Sequence, residues 1–141
     1  MMSGSRYLPS PVESTSPVLE ILDPLPVIAR RATRDMLAGT ALDHEAGEGL
    51  VGAVSEVVTN AGLHGEPPVH VRGWATEHEI VITVTDSGDG PSDPEVGLRP
   101  ALRDPGMGGF GLWLAHQMCS DVTMGCHQAG FTVRLVARVQ D

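Results

Sequence analysis

The sequence predicts an α/β domain in which a mainly antiparallel sheet carries helices on one face. Three observations point there. Apolar residues recur at helical spacing through the first half. Four strand-like runs follow in two closely spaced pairs, and a proline- and glycine-rich stretch separates the pairs. At 141 residues the chain has the length of one domain with one hydrophobic core.

Residues 1–17 are rich in Ser and Pro and lack apolar periodicity, the composition of a disordered N-terminal tail, which leaves 18–141 as the folded domain. From Leu25 the apolar positions Leu25, Ile28, Ala29, Ala32 and Met36 repeat with helical spacing, with Arg30, Arg31, Arg34 and Asp35 on the other side, until Gly39 stops the helix. Asp43 is a good N-cap for a second helix. Its stripe runs through Leu50, Val54, Val57, Val58 and Ala61 to a stop at Gly65 and Pro67-Pro68, with Gly47, Gly49 and Gly52 weakening its first half.

Val69 to Trp74 and Glu79 to Thr85 alternate as strands around a short polar connection and predict an antiparallel hairpin. Ser87 to Gly108 holds Pro91, Pro94, Pro100 and Pro105 with five glycines, a loop too long for a mere connection and of the kind that is either a functional lid or disordered. A third helix is expected from Gly109 to about Ser120. Two last strands, near Asp121 to Cys126 and Phe131 to Val139, share a glycine-containing turn.

Composition removes several function classes. The net charge is −9 and every basic residue is Arg, a balance that argues against direct nucleic-acid binding. No apolar run reaches the roughly 18 to 20 residues of a membrane span, and no basic stretch followed by an apolar one opens the chain, so a soluble cytoplasmic protein is expected. Cys119 and Cys126 lack metal-ligand spacing and read as free, buried thiols. Arg30, Arg31 and Arg34, with Arg99 and Arg103, are candidates for contact with an acidic partner or a phosphate.

Three motifs carry chemistry. In Glu56-Val57-Val58-Thr59-Asn60-Ala61-Gly62-Leu63-His64-Gly65, Glu56 and Asn60 stand four apart and project from one helical face. The amide oxygen of Asn suits Mg²⁺ alongside phosphates and water, and a Glu one turn earlier suits proton abstraction from a hydroxyl. In Asp86-Ser87-Gly88-Asp89-Gly90 a carboxylate at a strand end can accept from an exocyclic amine, while the glycines let backbone approach a ligand. An ordinary Asp-Gly turn would look the same. Gly106-Met107-Gly108-Gly109-Phe110-Gly111 opens the third helix, where exposed amides and the helix N-terminus favour phosphate, although no βαβ context surrounds it.

In this order and spacing the three motifs resemble the N box and the two glycine boxes of the GHKL ATPase superfamily, over most of Leu25 to Val139. The Asn-Ala-x-x-His-Gly helix end and the Gly-Leu-Trp-Leu-Ala helix entry are most similar to small bacterial anti-sigma factors that act as serine kinases. The resemblance implies a two-layer α/β sandwich of Bergerat type with a mixed, mainly antiparallel sheet. It further implies ATP and Mg²⁺ as cofactors, Glu56 as catalytic base and Asn60 as metal ligand. Asp86 becomes the adenine-amine acceptor, with Gly88, Gly90, Gly106, Gly108, Gly109 and Gly111 as loop contacts. Thr132 is the expected adenine contact through water. Implied partners are an anti-anti-sigma factor as phosphoacceptor and a sigma factor, with a homodimer as a family expectation. Two alternatives stay open: a non-catalytic nucleotide-binding module, and a histidine-kinase catalytic domain, for which His44-Glu45 is the superficial phosphoacceptor.

Overall fold

The computed structural model describes residues 7–90 and 119–139. Residues 91–108 of the expected lid, residues 109–118 of the expected third helix and the second glycine box lie outside the described residues. Among the rest, a single 3-10 turn, Pro11–Ser14, precedes strand β1, Leu19–Leu22, and helices α1, Pro26–Leu37, and α2, His44–His64. Strands β2, His70–Ala75, β3, Glu79–Asp86, β4, Asp121–His127, and β5, Gly130–Arg138, complete the fold. No described helix is long and apolar enough to cross a membrane.

The sheet order is β1-β2-β3-β5-β4, and the sheet is mainly antiparallel as expected, with every pairing among the described strands antiparallel and none of them parallel. The two hairpins dictate this. β5 turns back from β4 and inserts beside β3, which separates β3 from β4, a strand that runs in the same direction. Both helices cover one face, giving the two layers the sequence predicts.

Local chemistry explains the helix limits. Asp43 caps α2 as expected, its carboxylate accepting the Ala46 N–H at 2.8 Å. Pro26 opens α1, where its missing N–H costs nothing. Leu50, Val54, Val57 and Val58 of α2 pack on Ile80, Ile82 and Val84 of β3 and on Val133, Leu135 and Ala137 of β5, the alternate residues of each strand. The α1 stripe is rotated from its expected position. Ala29 and Thr33 are buried, with Ala32, Met36 and Leu37 beside them, whereas Leu25 and Ile28 remain exposed. Thr33 fits an apolar surface because its hydroxyl donates to the Ala29 carbonyl within the helix.

Two elements differ from the sequence reading. β1 was not expected, being only four residues long between Pro17 and Pro24. Residues 7–17, expected as disordered tail, lie instead across the outer face of the sheet, opposite the helices. Val12 packs on Trp74, Val81 and Val136, and the Trp74 indole N–H donates to the Thr15 carbonyl at 3.0 Å. Glu13 pairs with Arg134 of β5 at 2.8 Å, with both side chains almost withdrawn from solvent.

Candidate functional site

The end of α2 and the end of β3 meet at one residue, Asp86. Gly65 terminates α2 and donates its N–H to the Ala61 carbonyl. A Cβ there would lie 2.5 Å from the Asp86 carboxyl carbon, so only glycine lets the helix end close on the strand. Asp86 is buried and its Oδ1 accepts from the Gly88 N–H at 2.7 Å and, more weakly, from the Glu66 N–H at 3.4 Å. The first contact is the local turn an Asp makes with the backbone two residues on. Ser87 N–H closes the junction by donating to the Glu66 carbonyl at 2.8 Å. Both Asp86 bonds use Oδ1, which leaves Oδ2 without a donor among the described residues.

The first glycine box is shaped by the same crowding. A Cβ on Gly88 would stand 2.9 Å from Asp86 Oδ1, and one on Gly90 would stand 2.4 Å from the Phe131 ring, at a φ of +83° that disfavours other residues. Glu56 and Asn60 occupy the second half of α2, both half-buried, with Val57 and Val58 between them turned into the core. The junction therefore joins the helix carrying Glu56 and Asn60 to the strand carrying Asp86, Gly88 and Gly90. Gly106, Gly108, Gly109 and Gly111 lie outside the described residues, as do Arg99 and Arg103.

Thr132 is not brought to this face. It pairs in register with Thr85, one residue before Asp86, and strand alternation turns both to the outer surface. There the Thr132 hydroxyl lies 2.7 Å from the Thr85 hydroxyl and 2.6 Å from His127 Nε2. Phe131, its neighbour, faces the helices beside Gly90. The sequence reading missed His127 and Glu13. Ser10-x-x-Glu13 after an N-terminal segment was the available signal for the latter, and it forms: the Glu13 carboxylate accepts the Ser10 N–H at 2.9 Å.

The other candidates divide. Arg30, half-buried, donates to the Ser55 hydroxyl at 2.7 Å, and Arg34 pairs with Glu48 at 3.1 Å, both partners on α2, while Arg31 and Arg34 are exposed. Cys119 is partly buried, and burial pushes its thiol up to about 12, which makes it unreactive. Cys126 is exposed, contrary to the expectation for both, and its thiol donates to the Asp89 carbonyl.

A family model described as a histidine kinase-like ATPase domain matches residues 23–137. Solved structures of 22 chains match as well. One of them is the crystal structure of the RsbU and RsbW domains of Rv1364c from Mycobacterium tuberculosis, with a TM-score of 0.61 and 21% identity. The match covers 87% of this chain and 33% of that one, so the chain spans about a third of the neighbour, and the likeness is one of fold. The chain matches no curated protein.

Proposed function

The chain belongs to the histidine kinase-like ATPase domain family, and from that premise we propose that it is a cytoplasmic ATP-dependent serine/threonine kinase of the anti-sigma type. Its substrate is an anti-anti-sigma factor and its other partner a sigma factor. The observation that carries the nucleotide reading is the junction at Asp86. A buried carboxylate whose Oδ1 is anchored by backbone amides is fixed in direction, as an acceptor for an exocyclic amine must be. The partner class rests on the motif forms at the two helix ends and on nothing in the fold match.

The residues fit nucleotide and cation. Asp86 Oδ2 would accept the adenine amine, and the bare backbone at Gly88 and Gly90 admits the ligand where any side chain would collide with Asp86 or Phe131. Asn60 would hold Mg²⁺ through its amide oxygen, a donor of the hard type this cation accepts. When bound, Mg²⁺ offsets the negative charge that accumulates on the terminal phosphates. Glu56, one turn before Asn60, would take the proton of the acceptor hydroxyl as its oxygen bonds to the γ-phosphorus and the bond to ADP breaks. Amides of Gly106, Gly108, Gly109 and Gly111 are the proposed phosphate contacts at the start of the third helix. Thr132 contributes no side chain to this face.

The test is incubation with labelled ATP and candidate anti-anti-sigma proteins, beside a melting curve with and without Mg-ATP. Binding at 100 times Kd should add about 2.7 kcal/mol to stability. Asn60→Ala should remove the magnesium-dependent part of that gain. Glu56→Ala should keep the gain and lose phosphotransfer. No melting shift at millimolar Mg-ATP overturns the nucleotide reading, and a shift without transfer to any partner leaves a binding module in place of a kinase.

A further inference from the structure

We infer that residues 7–17 form a strap whose seating on the outer face of the sheet sets the Asp86 turn on the inner face, so that strap docking and nucleotide binding are coupled. The coupling rests on the nucleotide reading above, while the strap and its contacts stand apart from it.

The strap is held by few, directional contacts. Glu13 is their centre: its carboxylate accepts from the Tyr7 hydroxyl, from the Ser10 N–H and hydroxyl, and from Arg134 Nε. Arg134 also donates to the Leu8 carbonyl and to Thr123 Oγ1, and its guanidinium lies 4.8 Å from the Tyr7 ring centroid, a cation–π contact. The Tyr7 N–H donates to the Cys126 carbonyl on the edge strand β4.

From the strap a chain of contacts runs to the opposite face. The Tyr7 ring centroid is 5.5 Å from that of His127. His127 Nε2 meets Thr132 Oγ1 at 2.6 Å, and Thr132 Oγ1 meets Thr85 Oγ1 at 2.7 Å. The next residue along β3 is Asp86, and the residue before Thr132 is Phe131, which packs where Gly90 must stay bare. A two-stranded segment therefore presents the strap contacts on one side and the glycine-box geometry on the other. Between strap and sheet lies a cleft lined by Thr83, Thr85, Thr132 and His127 together with Tyr7 and Trp74, so lifting the strap opens that segment to water. Coupling between faces can be carried by a contiguous set of packed and hydrogen-bonded groups, and Tyr7, His127, Thr132 and Thr85 form one such set along the wall of that cleft.

The experiment uses the full chain and two variants that unseat the strap in different ways. Glu13→Gln keeps the shape and removes the charge. The double change Glu13→Ala with Arg134→Leu removes both charges and leaves no orphan cation. Amide exchange at residues 7–15 reports the strap, exchange at residues 83–90 reports the Asp86 turn, and titration with Mg-ATP reports the site. The expected result is faster exchange in both segments without nucleotide, and ATP affinity weakened roughly fivefold, within the usual range of coupling between sites. By reciprocity, Mg-ATP should slow exchange at residues 7–15 of the unaltered protein by a similar factor. Strap exchange that accelerates while residues 83–90 and the ATP affinity stay as they were overturns the inference. If the unaltered chain binds no ATP, the nucleotide reading fails, yet the exchange of residues 83–90 still decides whether the strap sets the turn.

Discussion

The two faces of one sheet are built on different physical terms. On the inner face Ile80, Ile82, Val84, Val133 and Leu135 meet Leu50, Val54 and Val57 of α2, all buried and apolar. On the outer face the same strands offer Thr83, Thr85, Thr132 and Arg134, with one small apolar cluster around Trp74. Its cover is a segment whose principal anchor, Glu13, lies 121 residues from Arg134. The inner face gains from many non-directional contacts and is sensitive to volume. The outer face depends on a few directional bonds and is sensitive to charge.

The largest expected effect follows from volume. Leu135 is fully buried between the helices and the sheet, so Leu135→Ala should cost about 2 to 5 kcal/mol, the range for a buried leucine truncated to alanine. Chemical denaturation would show it as a lower midpoint with an unchanged slope. Glu13→Gln should cost less, about 1.5 to 3 kcal/mol at most, the worth of hydrogen bonds to a charged group. The strap can lift and return Arg134 to water, which caps the loss. A Glu13 variant that destabilises the whole chain as much as Leu135→Ala would break the comparison, because the strap would then belong to the cooperative core.

Legibility in the sequence follows the same division. α2 was readable from Asp43 and the repeat Leu50, Val54, Val57, because caps and apolar periods are local. Both hairpins were readable for the same reason, and so was the pairing of Glu56 with Asn60 on one helix. β1 was not: four residues cannot establish an alternation, and its place is fixed by pairing with β2 some fifty residues away. The strap escaped because its composition is that of a disordered segment, and only Arg134, remote in sequence, gives Glu13 its partner. Thr132 stands on the outer face, and in a strand one position is a change of face. The register of Asp86 with Phe131 decides it, and register between β3 and β5 is a tertiary fact.

Acid should separate the two faces. Burial alone would push the Glu13 carboxyl up, but the hydrogen bonds from Tyr7 and Ser10 and the charge of Arg134 outweigh it and hold the group below its ordinary value of 4.5. A carboxyl depressed in the folded state contributes stability above its unfolded value and loses it as pH falls through the folded one. The strap should therefore unseat below about pH 4.5 while the apolar inner face, which has no such dependence, persists. Trp74 reports this, since its indole bond to Thr15 and its cover by Val12 go together. Acrylamide quenching of Trp74 in a Trp113→Phe background should rise on acidification, and Glu13→Gln should abolish the step.

The smallest effect isolates burial from chemistry. Arg34 and Glu48 form the same ion pair as Arg134 and Glu13, with two contacts, Nε to Oε2 at 3.2 Å and Nη2 to Oε1 at 3.1 Å. Their side chains are 53% and 44% exposed, against 12% and 9% for the strap pair. In water the gain from such a pair is offset by the entropy of holding two long side chains, and salt screens what remains. Arg34→Ala should leave the melting temperature unchanged within error at both low and high salt. The strap pair should keep its protective effect on exchange at residues 7–15 in high salt, because little solvent reaches it. A salt-sensitive strap would mean that Glu13 and Arg134 meet as surface charges do, and the distinction between the two faces would reduce to one of apolar content alone.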